Sequence, residues 1–246
     1  MSPPMIAGLY PYTRGGVSKP PIVTLAEIPA SLVVNPTYRD ELLLLAGDEG
    51  SAEQLAGFGL KVHHAFDDAP AEVRIDAAHK MKHWMCRWAL NEFGEFLWVD
   101  WDTVMLRRPD DAFWAWCRRF GTPKFLKIPG YWATVNCGVY YACRNWREAM
   151  DRSFAAQVSE PNDELLWSAV LPVDVVNRPE YWLGPRAVNV WTKDDFALVG
   201  EETYFAHVKT LDWASEIRMA ARHRSCDARE EPPIPRREAL PYDPTL

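Results

Sequence analysis

Several absences narrow this chain before any motif is read. Cysteine is sparse and unorganised: Cys86, Cys117, Cys137, Cys143 and Cys226 are odd in number and dispersed over 246 residues. No spacing among them fits a zinc site or a disulfide framework, so they are expected to be reduced thiols in a cytoplasmic protein. There is no apolar run of about eighteen residues and no basic-then-apolar leader, so neither a transmembrane helix nor a signal peptide is expected. Basic charge is not in excess. The net charge of −7 leaves no electrostatic footprint for nucleic acid and argues against an anionic membrane surface. Internal repeats are absent, which sets aside solenoid and array architectures.

What is present suits one large domain, or one domain plus a tail. Twelve tryptophans give a large apolar payload, most of it expected in the core. Residues 5–10 read as a first strand leading into the turn-rich 11–16, and Pro20 and Pro21 can open a helix reaching about Val34, although Pro29 interrupts it. Leu42–Ala46 is an apolar run for a second strand, Ser51–Phe58 is helical, and Lys61–Ala65 is a third strand. After the break at 67–70, Val73 to Phe93 reads as a long helix with Met81, Met85, Trp88 and Ala89 on one face and Gly94 as its stop. Phe113–Arg119 is helical, Phe125–Ile128 and Val135–Ala142 are strands, and Trp146–Gln157 and Asp163–Val170 are helices. This alternation implies a mostly parallel sheet flanked by helices. Residues 1–222 are expected to form the domain, and the Pro- and Arg-rich 223–246 an arm or tail.

The stretch Phe96-Leu97-Trp98-Val99-Asp100-Trp101-Asp102-Thr103-Val104 is the most informative. Four bulky apolar residues in a row suit a strand covered on both faces. In an extended chain residues i and i+2 share a side, so Asp100 and Asp102 are expected to project together from a strand end. Carboxylates there do nothing for packing and suit a hard divalent cation. A pair of turn or helix-capping carboxylates is the plainer alternative.

The segment Arg87–Asp111 (RWALNEFGEFLWVDWDTVMLRRPDD) resembles the core of glycogenin-like and lipopolysaccharide-galactosyltransferase-like enzymes of the GT-A fold. The resemblance covers about residues 5–210. It implies a single α/β GT-A domain and a metal-dependent hexosyltransferase that uses a nucleotide-diphosphate sugar, most naturally a UDP-sugar, with Mn²⁺ or alternatively Mg²⁺ as cofactor. The acceptor is not readable. In that family the aspartates hold the ion, so Asp100 and Asp102 are the expected ligands. Asp100 is also expected at the donor. Trp101 stands where the family has a small residue, and its indole could stack on something or narrow the site. Thr134–Tyr141 resembles the family's sugar-lining stretch and implies Asn136 and Gly138 at the donor. A bare strand glycine suits close approach by a ligand.

Asp163 and Glu164 sit where the family has an Asp-Gln pair opening a helix. They are the expected catalytic pair, Asp163 toward the transferred sugar, and Asn162 or Asp163 could instead be an N-cap. Tyr204–Lys209 resembles the family's late His-x-x-Gly-x-x-Lys with a shortened spacing and no glycine. It implies His207 as third metal ligand and Lys209 on the diphosphate. Lys80, Lys82 and Arg87 lie on the helix before the aspartates. Lys82 is taken as the donor-binding one, although the register does not single it out. Tyr10 and Thr13 follow the first strand, where the family holds the base. Trp132, Trp182 and Trp191 fall in expected loops where a sugar could stack. Two other functions fit less well. A haloacid-dehalogenase-type phosphatase also uses strand-Asp-x-Asp, but puts the motif on its first strand and Thr or Ser where Val104 stands. A non-catalytic nucleotide-sugar-binding protein would bind without turnover.

Overall fold

The computed structural model describes residues 2–10, 12–14, 17–19, 42–57, 62–70, 73, 78–127, 135–155, 163–208, 213 and 216–217, with the side chains of 12–14, 17–19, 78–80, 153–155, 163, 165 and 166 left aside. The expected helix over 20–34, the tail 223–246, Trp132, Lys209 and Cys226 lie outside these residues.

In chain order the strands are β1 (Met5–Leu9), β2 (Tyr12–Arg14), β3 (Val17–Lys19), β4 (Leu42–Ala46), β5 (Val62–His64), β6 (Glu95–Val99), β7 (Thr103–Met105), β8 (Lys124–Leu126), β9 (Asn136–Cys143), β10 (Ala187–Val190) and β11 (Phe205–Val208). The α-helices are α1 (Glu49–Gly57), α2 (Ala78–Phe93), α3 (Asp111–Arg118), α4 (Arg147–Ala155) and α5 (Asp163–Ser168). The central sheet has the order β5-β4-β1-β6-β9-β8. β5, β4, β1 and β6 run parallel, while β9 runs antiparallel to both β6 and β8. The sheet is therefore mixed. A smaller sheet has the order β10-β11-β7, and β2 and β3 form a hairpin.

β1, β4, β6 and β9 are mostly apolar because both faces of the central sheet are covered along them. Alternate residues go to opposite sides. Met5, Ala7, Leu97, Val99, Val139 and Tyr141 pack on one face with α1 and α3 residues such as Leu55 and Phe113. Ile6, Phe96, Trp98 and Tyr140 pack on the other with Met81, Met85 and Ala89 of α2 and Trp167 of α5. Gly94 ends α2 with φ of 77°, a left-handed conformation that costs glycine little, and its N–H donates to Leu90 O at 3.0 Å. The four cysteines in the described residues are free and buried. Burial pushes the Cys143 thiol up to about 11, which leaves it unreactive near neutrality. Among the described residues, no helix is long and apolar enough to cross a membrane.

Asp110 caps α3, its Oδ1 accepting from Phe113 N at 2.9 Å and from the Tyr204 hydroxyl at 2.8 Å. Burial pushes this carboxyl up, but those bonds and the Arg107 charge outweigh it and hold it below the ordinary carboxylate value. Asp110→Ala is expected to cost about 1 kcal/mol for the cap and about 1 more for the orphaned Tyr204 hydroxyl, read by chemical denaturation. Because the folded-state value is depressed, the carboxylate's contribution is present above the unfolded value and is lost as pH falls through the folded one. The mutational loss should therefore shrink in acid.

Candidate active site

The β6 strand ends at Val99, and the two aspartates occupy a turn closed by Thr103 N donating to Asp100 O at 3.1 Å. This corrects the extended geometry expected from i, i+2 alternation. The carboxylates still converge, because the turn reverses the chain into β7, and register does the rest. β11 pairs with β7 so that His207 faces Thr103, and Val208 N donates to Asp102 O at 2.7 Å. One ligand atom each from Asp100, Asp102 and His207 lies within 4.8 Å of the others. His207 Nε2 is 3.1 Å from Asp102 Oδ1.

The other imidazole nitrogen is tied down as well. β10 pairs with β11 with Asn189 opposite His207, and Asn189 Oδ1 lies 2.7 Å from His207 Nδ1. An amide oxygen can only accept, so Nδ1 carries the proton and Nε2 faces the carboxylates. Burial pulls the His207 pKa down, but the Asp102 carboxylate, by charge and hydrogen bond, outweighs it and raises the value above that of an ordinary histidine. Burial likewise pushes Asp102 up, and His207 more than reverses this, holding the carboxyl low. A metal cation at this point competes with the imidazole proton.

Asp100 is gripped from three sides. The Trp98 indole N–H donates to Oδ1 at 2.6 Å and Lys82 Nζ to Oδ2 at 3.0 Å. Its own N–H donates to Gly138 O at 2.7 Å. Lys82 is the basic residue that the sequence register left unselected. It is buried and also donates to Cys137 O at 3.0 Å, while Arg87 turns to Asp151 and the Lys80 side chain is outside the described residues. Trp101 is buried in the core and donates its indole N–H to Gly8 O at 2.5 Å. Its ring packs inside the protein, contrary to the expectation that it could stack on a ligand. Trp182 is also buried, so it offers no exposed stacking face, whereas Trp191 is half-buried.

Gly138 serves a neighbour within the protein. A Cβ there would stand closer than 3.0 Å to the His207 ring atoms Nε2, Cδ2 and Cε1. Asn136 is buried, accepts from Gly138 N at 3.0 Å through Oδ1 and donates through Nδ2 to Glu164 at 2.5 Å. Asp163 opens α5, and its side chain is outside the described residues. Tyr10 is half-buried at the end of β1. Thr13 lies in β2, paired with Ser18.

A divalent ion fits this donor set. With bonds of about 2.1 Å, an octahedral ion separates adjacent donors by about 3 Å and opposite ones by about 4.2 Å. One pair here is 3.1 Å apart and no pair is further apart than 4.8 Å, so the three donors are close enough together to share one ion. Two carboxylates with one imidazole suit Mn²⁺ better than Mg²⁺. Asn189→Ala is expected to weaken divalent-ion affinity by about 10- to 100-fold, the usual effect of removing the group that orients a histidine ligand. Titration calorimetry with Mn²⁺ reads it.

The fold and the site can now be set beside known proteins. A glycosyltransferase involved in the glycosylation of the major capsid of PBCV-1 superposes with a TM-score of 0.51 at 14% identity, over 89% of this chain and 99% of that one. The chain shares the GT-A-type fold of that protein. The galactosyltransferase LgtC, solved in complex with donor and acceptor sugar analogs, aligns over 88% of this chain and 95% of its own at 12% identity, with a TM-score of 0.44. No family model and no curated protein matches the sequence. In this GT-A-type fold the cluster of Asp100, Asp102 and His207 lies at the carboxyl end of β6, the edge at which open α/β sheets bind their ligands. Sequence reasoning missed Asn189 and Trp98. Asn189 is far from His207 in sequence and has no motif, while Trp98 was read only as part of an apolar run.

Proposed function

We propose that this protein is a metal-dependent glycosyltransferase that moves a hexose from a nucleotide-diphosphate sugar, most naturally a UDP-hexose, to an acceptor. The observation that carries the reading is the donor set of Asp100, Asp102 and His207 at a sheet edge within a glycosyltransferase fold. We assign Mn²⁺ to that set. Bound there, it would supply positive charge against the leaving nucleoside diphosphate and orient it.

The chain's own residues would do the remaining work. Asp102 and His207 hold the ion, and Asn189 keeps Nε2 pointed at it. Asp100, fixed by Trp98 and Lys82, contributes a ligand oxygen and faces the ribose. Lys82, already at the site, adds positive charge beside the donor, and Lys209 would meet the diphosphate. Tyr10 and Thr13 would hold the base, Asn136 and Gly138 would shape the sugar pocket, and Asp163 would support charge developing on the transferred sugar. The free, buried thiols support a reducing compartment such as the cytoplasm. The phosphatase alternative is disfavoured because the aspartate motif follows β6, deep in the chain order, and not the first strand.

A thermal-shift panel of UDP-, GDP- and dTDP-sugars with and without Mn²⁺ tests the reading. A ligand of the native state raises apparent stability by mass action. Stabilisation by UDP-sugars that needs Mn²⁺ is expected. Stabilisation by GDP-sugars alone would remove the nucleotide assignment, and none with any nucleotide would remove the function. For Asp163, Asp163→Asn should lower turnover at least about tenfold, about 1.4 kcal/mol in barrier, with donor affinity and melting nearly unchanged. Asparagine caps a helix about as well as aspartate, so near-wild-type turnover would make Asp163 a cap.

A further inference from the structure

We infer that Glu164 is a positioning residue, which sets the amide of Asn136 and through it the Gly138 peptide that locks Asp100 and makes room for His207. The inference rests on the donor-site reading above but changes the role that resemblance gave to Glu164.

The argument follows one chain of contacts. Glu164 is the second residue of α5 and is buried, and its Oε1 accepts from Asn136 Nδ2. Asn136 Oδ1 accepts in turn from Gly138 N at 3.0 Å. Gly138 O accepts from Asp100 N at 2.7 Å, and its bare Cα lies against the His207 ring. The peptide on either side of Gly138 is thus gripped at its N–H by a side chain and at its C=O by the aspartate turn.

An asparagine amide has a donor end and an acceptor end, nearly identical in shape. Packing alone does not choose between them. A carboxylate does, because it accepts and so draws the NH₂ end toward α5. With the amide reversed, Nδ2 would oppose the Gly138 N–H and Oδ1 would oppose Glu164, leaving two donors together and two acceptors together. A carboxylate buried merely as filler would be costly, since polar groups lose hydration on burial. Here it is matched to a donor.

The test compares E164Q and E164M in the full chain. Gln can accept from Asn136 through Oε1, and Met has similar volume but cannot. Four readouts are taken: amide exchange at Gly138 and Asp100 by NMR, Mn²⁺ affinity by electron paramagnetic resonance, transfer or hydrolysis of UDP-glucose and UDP-galactose, and melting. E164M is expected to speed exchange at both amides at least about tenfold, weaken Mn²⁺ at least about threefold and lower kcat more than KM. E164Q is expected to restore most of each loss. Loss of turnover in E164Q equal to that in E164M, with amide exchange preserved, would overturn the inference and make the carboxylate itself chemical. Unchanged amide exchange in E164M would also overturn it. If E164M does not fold, E164Q alone decides: slow exchange supports positioning and fast exchange refutes it. If the wild-type chain binds neither Mn²⁺ nor UDP, the functional reading falls, while the exchange data still settle the positioning.

Discussion

Asp102→Asn is expected to abolish transfer, a fall of at least about 1000-fold, or about 4 kcal/mol in barrier. Mn²⁺-dependent UDP binding should vanish with it. The substitution keeps the shape of the side chain and removes its charge. Asp102 has its side chain 48% exposed, so the substitution opens no cavity and the fold should stay intact. The backbone bond from Val208 N to Asp102 O does not involve the carboxylate and should survive. Chelation of the wild-type protein should reproduce the same loss reversibly. Calorimetry giving an unchanged Mn²⁺–UDP affinity in the variant would sink the assignment of the ion to this carboxylate.

Gly138→Ala is the second large effect, and it arises from one methyl group. The new Cβ would collide with three atoms of the His207 imidazole. That ring cannot simply step aside, because Nδ1 is bonded to Asn189 and Nε2 to Asp102. Either the ring rotates out of the cluster or β9 shifts away from β11. Overpacking of this kind costs about 1–3 kcal/mol of stability. Displacing a ligand should also cost well over tenfold in metal affinity. Titration calorimetry with Mn²⁺ and a melting curve of Gly138→Ala read the two effects, and an unchanged Mn²⁺ affinity would mean that the ring keeps its place.

The parts legible in the sequence were those written as local burial patterns. The apolar runs of β1, β4 and β6 predicted strands, that of β6 covered on both faces, and Gly94 marked the end of α2. Strand direction was less accessible. β9 is buried along its whole length, and a continuous apolar run reads the same in either direction, so its antiparallel placement was not visible. The aspartate pair was found for a partly wrong reason. Alternation along an extended strand was expected to align the carboxylates, whereas a turn and the register of β11 on β7 do so. Trp101 showed the limit of residue type as evidence. An indole beside a site motif suits stacking as well as core packing, and its bond to Gly8 O is a long-range contact that no local window contains. Lys82, Lys80 and Arg87 lie close together on one helix, and only tertiary placement separates the buried member from the others.

The antiparallel insertion of β9 has a topological consequence. The chain leaves the sheet edge at Asp100 and comes back to the same point at Gly138, where the Asp100 N–H to Gly138 C=O bond fastens the two ends. What lies between is a closed excursion. Its far corner, the turn at Gly121 between α3 and β8 with φ of 62°, lies beside Asn145, just past the C-terminal end of β9, and the aspartate turn is at the other end of the sheet. Lengthening a closed loop costs little, about 0.6 kcal/mol per doubling. That corner is therefore a splice point. Additional chain can enter there without altering the distance between the aspartates and the Asn136 amide, so this side of the molecule is open to elaboration while the edge that carries Asp100, Asp102 and His207 stays fixed.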